Sequence, residues 1–231
     1  MRTDQPPGSS APLLDARFWL DRAPQPDQRF VAPGEINTFN QRVHASLGIP
    51  PVLDLPDMLD AALVRELIAA FRPPGEACFD GVGQPLGAAY WGHLAGAVRL
   101  PDAGQVPVRI GLAIRRTSVR AFPTRDIVTT RPGEILLDRL QETTIDPGWP
   151  VAAVAISADE RWLFCLTPLY WGWVAAADIA WTERDTAVAF TRPARWATVT
   201  ASRIAIGLPA GGAVQAQMGT RFPLLGQDAL G

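Results

Sequence analysis

Apolar positions along the chain change their period near Pro101. Ahead of it they recur every three or four residues, and after it they alternate, so the first part predicts helices and the second strands. Pro33 suits a first helical turn, where its missing N–H costs nothing. Ile36, Phe39, Val43 and Leu47 then share one face, and Gly48 can stop the helix. Asp57 is placed to cap a second helix, with Asp60 in its first turn. Its buried stripe would be Leu59, Leu63, Leu67 and Phe71, and Pro73 and Pro74 would end it. A third short helix is expected over 86–94, although Gly87 and Gly92 weaken it.

Val106, Val108, Ile110, Leu112 and Ile114 alternate with small or polar residues, the pattern of a half-buried strand. A second strand is expected over 118–122. Residues 123–150 are long, irregular and charged and read as a loop. The runs 151–156 and 162–166 flank a tight turn at 157–161 and predict a hairpin. Gly172 permits close backbone approach before Trp173 and Val174, and 176–179 fits one 3₁₀ turn. This is the layout of a small SH3-like barrel with a long first loop. From Ala187 the strand-like pattern resumes at 194–200, 204–206 and 213–218, too few strands to close a second barrel. The expected fold class is mainly β: an SH3-like barrel with a small N-terminal helical segment and a partial second SH3-like barrel. The expected boundaries are a disordered tail over 1–16, the helical segment over 17–105, the barrel over 106–181 and the partial domain over 187–231.

Composition narrows the function more than the fold. The 231 residues carry a net charge of −2, so no basic field favours nucleic acid. The 22 prolines and 20 glycines favour short elements and many turns. Cys78 and Cys165 have no zinc-site or C-x-x-C spacing, and two core thiols are expected in preference to a disulfide. No apolar run approaches the ~18 residues of a membrane span. The N-terminus lacks a basic stretch joined to an apolar one. Either the chain stays in the cytoplasm, or a leader is missing and it belongs to the periplasm or cell envelope.

The aromatic cluster Trp162, Tyr170, Trp171 and Trp173 is the first binding candidate. Trp171 and Trp173 fall on one side of their strand, where exposed rings could form a platform for an extended peptide or a sugar edge. The alternative is core filling, expected for Trp173, with Trp171 as the exposed, functional ring. Arg115, Arg116, Arg120 and Arg125 surround the base of the long loop, and their guanidinium forks match carboxylates. They could equally form ion pairs with Asp126, Glu134, Asp138 or Glu142. Nucleophilic chemistry is thinly supplied: His44 and His93 are the only histidines, and a Cys78–His93 dyad, 15 residues apart, is disfavoured because spacing alone gives it no geometry. Two histidines are a poor basis for a catalytic zinc, and no glycine-rich phosphate loop follows a strand. No catalytic residue, metal or cofactor is therefore expected.

The ordered set RRTSVRAFPT, DRLQET, DPGWPV, the ERW turn and YWGWVAAADIA resembles the bacterial SH3 domain that precedes the catalytic domain of NlpC-type cell-wall cysteine peptidases. FWLDRAPQPDQRFVAPGEINTFNQRV and LDLP resemble the helical segment ahead of that domain. WATVTASR and MGTRFPLLG resemble the opening of its second SH3-like domain. The resemblance implies peptidoglycan-derived peptides and a downstream catalytic domain as partners. Members cleave gamma-D-glutamyl bonds to diamino acids with a papain-like domain, whose D-C-S-G-type nucleophile motif is absent from this sequence. It also implies that the barrel borders the catalytic groove. A barrel tyrosine is implicated in some members, and Phe122 stands at the comparable place here, able to shape a groove but not to donate a hydrogen bond. Arg120, Phe122, Arg125 and Trp171 are the expected substrate-binding residues, with Trp171 and Arg120 solvent-reachable and close together.

Overall fold

The computed structural model describes residues 11–47, 51–209 and 211–224. Most of the stretch expected to be a disordered tail lies outside these residues, as does the expected helix stop Gly48. The chain divides into two units, Met1–Ile49 and Pro50–Gly231. In the first, α1 (Ala16–Leu20) is capped by Asp15, whose carboxylate accepts from the Arg17 N–H. The expected helix follows as α2 (Pro33–Leu47), with the Glu35 carboxylate reaching back to the Ala32 N–H. Ile36, Phe39 and Val43 are exposed on it.

The second unit opens with a 3₁₀ turn (Val52–Asp54), then β1 (Met58–Asp60) and α3 (Ala61–Ala69). Asp60, not Asp57, caps this helix: its carboxylate accepts from the Ala62 N–H at 2.7 Å. The cap moves because residues 58–60 pair with β3 (Gln105–Pro107), a partner remote in sequence. The buried face therefore turns to Ala61, Val64 and Ile68, and Leu63 is left exposed. Next come β2 (Phe79–Asp80) and α4 (Ala88–Ala97).

The expected strand over 106–114 is broken at Val108, whose N–H turns to the Asp57 carbonyl. β4 (Arg109–Ala113) and β5 (Thr117–Arg120) follow it. The long loop then contains β6 (Val128–Thr129), which pairs with β2, and ends in β7 (Gln141–Ile145). The predicted hairpin is β8 (Pro150–Ile156) and β9 (Trp162–Leu166), followed by β10 (Trp171–Ala175), a 3₁₀ turn (Ala176–Asp178) and β11 (Ile179–Trp181). These form a seven-stranded antiparallel sheet in the order β11-β4-β8-β9-β10-β5-β7. A helix, α5 (Arg184–Thr191), stands where the sequence pattern reads as strand. Two hairpin-like pairs close the described chain: β12 (Trp196–Thr198) with β15 (Arg221–Pro223), and β13 (Arg203–Gly207) with β14 (Ala213–Gln217).

Both faces of β9 and β10 are buried. On one, Leu163, Cys165 and Val174 join Val119, Ile145, Val151 and Ile179 in an apolar core. On the other, Phe164 and Trp173 are register partners and fully buried. This second face is covered by residues from the helical region. Phe71 meets Phe164 edge-on at 6.3 Å, and Leu94, Cys78, Phe122, Val128 and Leu140 form a second cluster. Double burial explains why W-L-F-C-L carries no polar alternation. Gly172 is required where β10 meets β5: a Cβ there would lie 2.7 Å from the Arg120 carbonyl oxygen.

Trp173 fills this second face as the sequence leads one to expect. Trp173→Ala should lower unfolding free energy by about 3–5 kcal/mol. Chemical denaturation measures it, and a loss below about 1 kcal/mol would show that the face is not closed around that ring.

Candidate functional site

Four arginines surround the base of the long loop, and three of them are paired. Arg115 meets Asp178 at 3.4 Å, and Arg116 meets Asp146 and the Thr144 hydroxyl. Arg120 meets Asp138 at 2.8 Å and also donates to the Asp126 carbonyl at 2.6 Å. Arg125 is exposed and has no carboxylate partner among the described residues. Its guanidinium carbon lies 6.0 Å from the centre of the Trp162 ring, the outer limit of a cation–π contact.

The expectation that Arg120 is solvent-reachable is not met: it is 5% exposed. Register explains this, because Arg120 is paired with Trp173 on the covered face of the sheet. Its partner Asp138 is a hub. One carboxylate oxygen takes Arg120, and the other accepts from the Val128 and Leu140 N–H groups. A single buried pair thus fixes the start, middle and end of the loop. Phe122 is also buried, with the Trp91 ring 6.1 Å away. Tyr90 donates to Asp126 across the same boundary, and burial pushes its hydroxyl pKa up.

Trp171 is half-buried and stacked on Tyr170, with ring centres 4.8 Å apart and planes 7° from parallel. Its Nε1 is buried without a hydrogen-bond partner among the described residues. Burial and the facing Glu142 both raise the Tyr170 pKa, and burial raises that of Glu142 in turn. Trp162 pairs with Ala175 and Trp171 with Leu166, so the two indoles stand at opposite ends of β10. Four residues of strand separate those ends, about 13 Å. The structure therefore splits the four expected residues. Arg120 and Phe122 lie inside, Trp171 sits at one end of β10, and Arg125 at the other.

At the Arg125 end is a groove of about 620 Å³. Pro123, Thr124 and Arg125 form one wall, Asp159, Glu160, Arg161 and Trp162 the other, and residues 175–177 the floor. The second wall is a rigid turn. Glu160 holds a left-handed φ of 60°, and Asp159 accepts from the Ser157 hydroxyl at 2.5 Å and from the Arg161 N–H. The hydroxyl contact is the main reason the Asp159 carboxyl sits below the ordinary range. The Ala158 N–H donates to the Ala97 carbonyl, anchoring this turn to α4. Arg161 is exposed and, like Arg125, has no carboxylate partner among the described residues. Sequence patterning gives Arg161 no role. The only signal is its place in the turn, and the opposite wall arrives from 36 residues earlier.

Cys78 and Cys165 are free and buried, and burial raises both thiol pKa values. The Cys78 Sγ–H donates to the Glu76 carbonyl, and His93 is exposed on α4. No catalytic triad is formed among the described residues, and they hold no cluster of His, Cys, Asp and Glu that could bind a metal. No described helix is long and apolar enough to cross a membrane.

Residues 132–175, from the loop through β10, match the family described as SH3 domain (SH3b1 type). The chain is also similar to the solved structure of an NlpC/P60 endopeptidase from Photobacterium damselae subsp. piscicida, with a TM-score of 0.62 and 15% identity. That likeness covers 86% of this chain and 48% of the other, so this chain spans about half of that structure's length. No curated protein matches the chain. These likenesses define the fold: an SH3-type domain within the arrangement seen in part of an NlpC/P60 endopeptidase.

Burial separates the arginines energetically. Arg120→Met, which leaves Asp138 buried without its partner, should cost about 3–5 kcal/mol. Arg125→Gln, at an exposed position, should stay within about 0.5 kcal/mol of the parent. Urea unfolding of both proteins checks this, and equal losses would contradict the assignment.

The Asp159 carboxyl offers a pH test. Its lowered pKa means that its stabilising contribution is present above the unfolded-state value and is lost as pH falls through the folded one. Ser157→Ala should move the Asp159 titration upward, as followed by carboxyl-carbon NMR. An unmoved titration would remove the hydroxyl as its cause.

Proposed function

We propose that this chain is the non-catalytic, substrate-positioning part of a cysteine peptidase acting on peptidoglycan stem peptides. In this reading residues 106–181 are an SH3-like barrel, 17–105 the helical segment ahead of it and 187–231 part of a second SH3-like domain. A catalytic domain supplying the nucleophile is its partner. The observation that carries the reading is the fold shared with an NlpC/P60 endopeptidase over 86% of the chain, together with the SH3b1-type match.

The groove supplies the contact chemistry. Two arginines without carboxylate partners among the described residues face a peptide class rich in carboxylates, those of D-glutamate and diaminopimelate, and a guanidinium binds each as a fork. Arg125 and Trp171 are the contact residues of this proposal. Arg120 and Phe122 act from inside, by holding the loop that presents Arg125. The second reading is a free-standing SH3-like binding module. It is favoured by the fact that both walls of the groove come from this chain.

Calorimetric titration with L-Ala-gamma-D-Glu-diaminopimelate tests the proposal. The intact chain should bind weakly and leave the peptide uncleaved by mass spectrometry. Arg125→Gln and Trp171→Ala should each weaken binding about tenfold without unfolding the protein. Binding unaffected by Arg125→Gln would remove the groove from the proposal. Cleavage that disappears in Cys78→Ala would replace positioning with catalysis.

A further inference from the structure

A second cavity lies at the other end of the β9–β10 pair, where the seven-stranded sheet meets the last strands. Its volume is about 420 Å³, within the usual range for small-ligand sites. Trp149 and Trp196 form its aromatic walls, Pro150 and Pro168 its flanks, and Arg221 its one charged group. Among the described residues no acidic side chain lines it.

Each wall is held in place before any ligand arrives. The Trp149 carbonyl accepts from Ala113 at 2.9 Å, its N–H donates to the Asp146 carbonyl, and Asp146 is paired with Arg116. Gly148 has φ +82°, and a Cβ there would strike the Phe190 ring at 2.8 Å, so α5 packs directly behind the turn. Pro168 sits in a turn closed by the Thr167 hydroxyl, which donates to the Tyr170 carbonyl and accepts from the Tyr170 N–H. In the β12–β15 pair Trp196 is opposite Pro223 and Thr198 opposite Arg221. Strand alternation puts Trp196 and Arg221 on one face as diagonal neighbours. Arg221 is exposed and has no carboxylate partner among the described residues.

From this geometry we infer a binding site for a small ring-bearing carboxylate. The two indoles take the flat apolar ring, and the Arg221 guanidinium takes the carboxylate as a fork. The single positive charge, with no acid beside it among the described residues, selects anions over neutral or cationic rings. The pinned backbone of the walls confines the ordering cost on binding mainly to the exposed Arg221 side chain. This site shares no residue with the groove at Arg125 and does not depend on the function proposed for that groove.

Phenylacetate is the probe and phenylacetamide its neutral control. The 231-residue chain labelled with ¹⁵N is titrated with each, and the indole N–H signals of Trp149 and Trp196 are assigned by single Trp→Phe variants. Phenylacetate should shift both signals saturably and phenylacetamide should not. Arg221→Gln should weaken phenylacetate binding at least about tenfold, with the rest of the spectrum unchanged. Equal binding of acid and amide would overturn the inference. So would affinity retained in Arg221→Gln, or no saturable shift of either indole at tens of millimolar probe.

Discussion

The Arg120–Asp138 pair is the contact on which this architecture turns. Arg120 leaves β5 toward the covered face of the sheet, and Asp138 comes from the far end of the long loop. Burying a guanidinium is costly unless every partner is in place. Here Asp138 satisfies two backbone N–H groups as well as the arginine, and the Asp126 carbonyl takes a second guanidinium nitrogen. Both terminal nitrogens of Arg120 are thus satisfied, while its Nε is buried without a partner among the described residues, and the pair still ties the loop at both ends. That arrangement puts Val128 into pairing with the helical region and leaves Arg125 outside. Arg120 is thus paired inside, while Arg125 is exposed without a carboxylate partner among the described residues.

The same logic extends along the covered face. Trp173, Phe164, Phe71, Tyr170 and Trp171 form one chain of ring contacts, with centres 4.8–6.3 Å apart. It ties the helical region to the sheet by ring packing alone, since the Trp171 and Trp173 Nε1 groups are buried without a hydrogen-bond partner among the described residues. Ala97 then anchors the 157–161 turn from the same side. Both walls of the Arg125 groove thus depend on contacts made by residues 71–140. A groove fixed in this way suits positioning, since a rigid wall orients a peptide at little entropic cost.

What the sequence revealed follows from how local each determinant is. The hairpin of β8 and β9, the Gly172 approach and the short turn after β10 are encoded within a few residues, and the pattern finds them. The second helix was legible as a helix but not in its facing, because the pairing of Leu59 with Val106 moves its start. The stretch A-V-A-F in α5 is too short for periodicity to separate helix from strand. Asp185 in its first turn was the available helix signal. Arg120 looks exposed in sequence because its partner lies 18 residues away on an irregular segment. Arg161 becomes a site residue only when a turn and a remote loop meet, which no local pattern records.

The central claim is that the groove at Arg125 and Arg161 receives the carboxylates of a stem peptide. NMR chemical-shift mapping of L-Ala-gamma-D-Glu-diaminopimelate on the intact chain tests it most directly. The account predicts saturable backbone shifts concentrated at 124–126, 159–162 and 170–171, together with guanidinium signals of Arg125 and Arg161. Shifts concentrated elsewhere, or none at millimolar peptide, would contradict it.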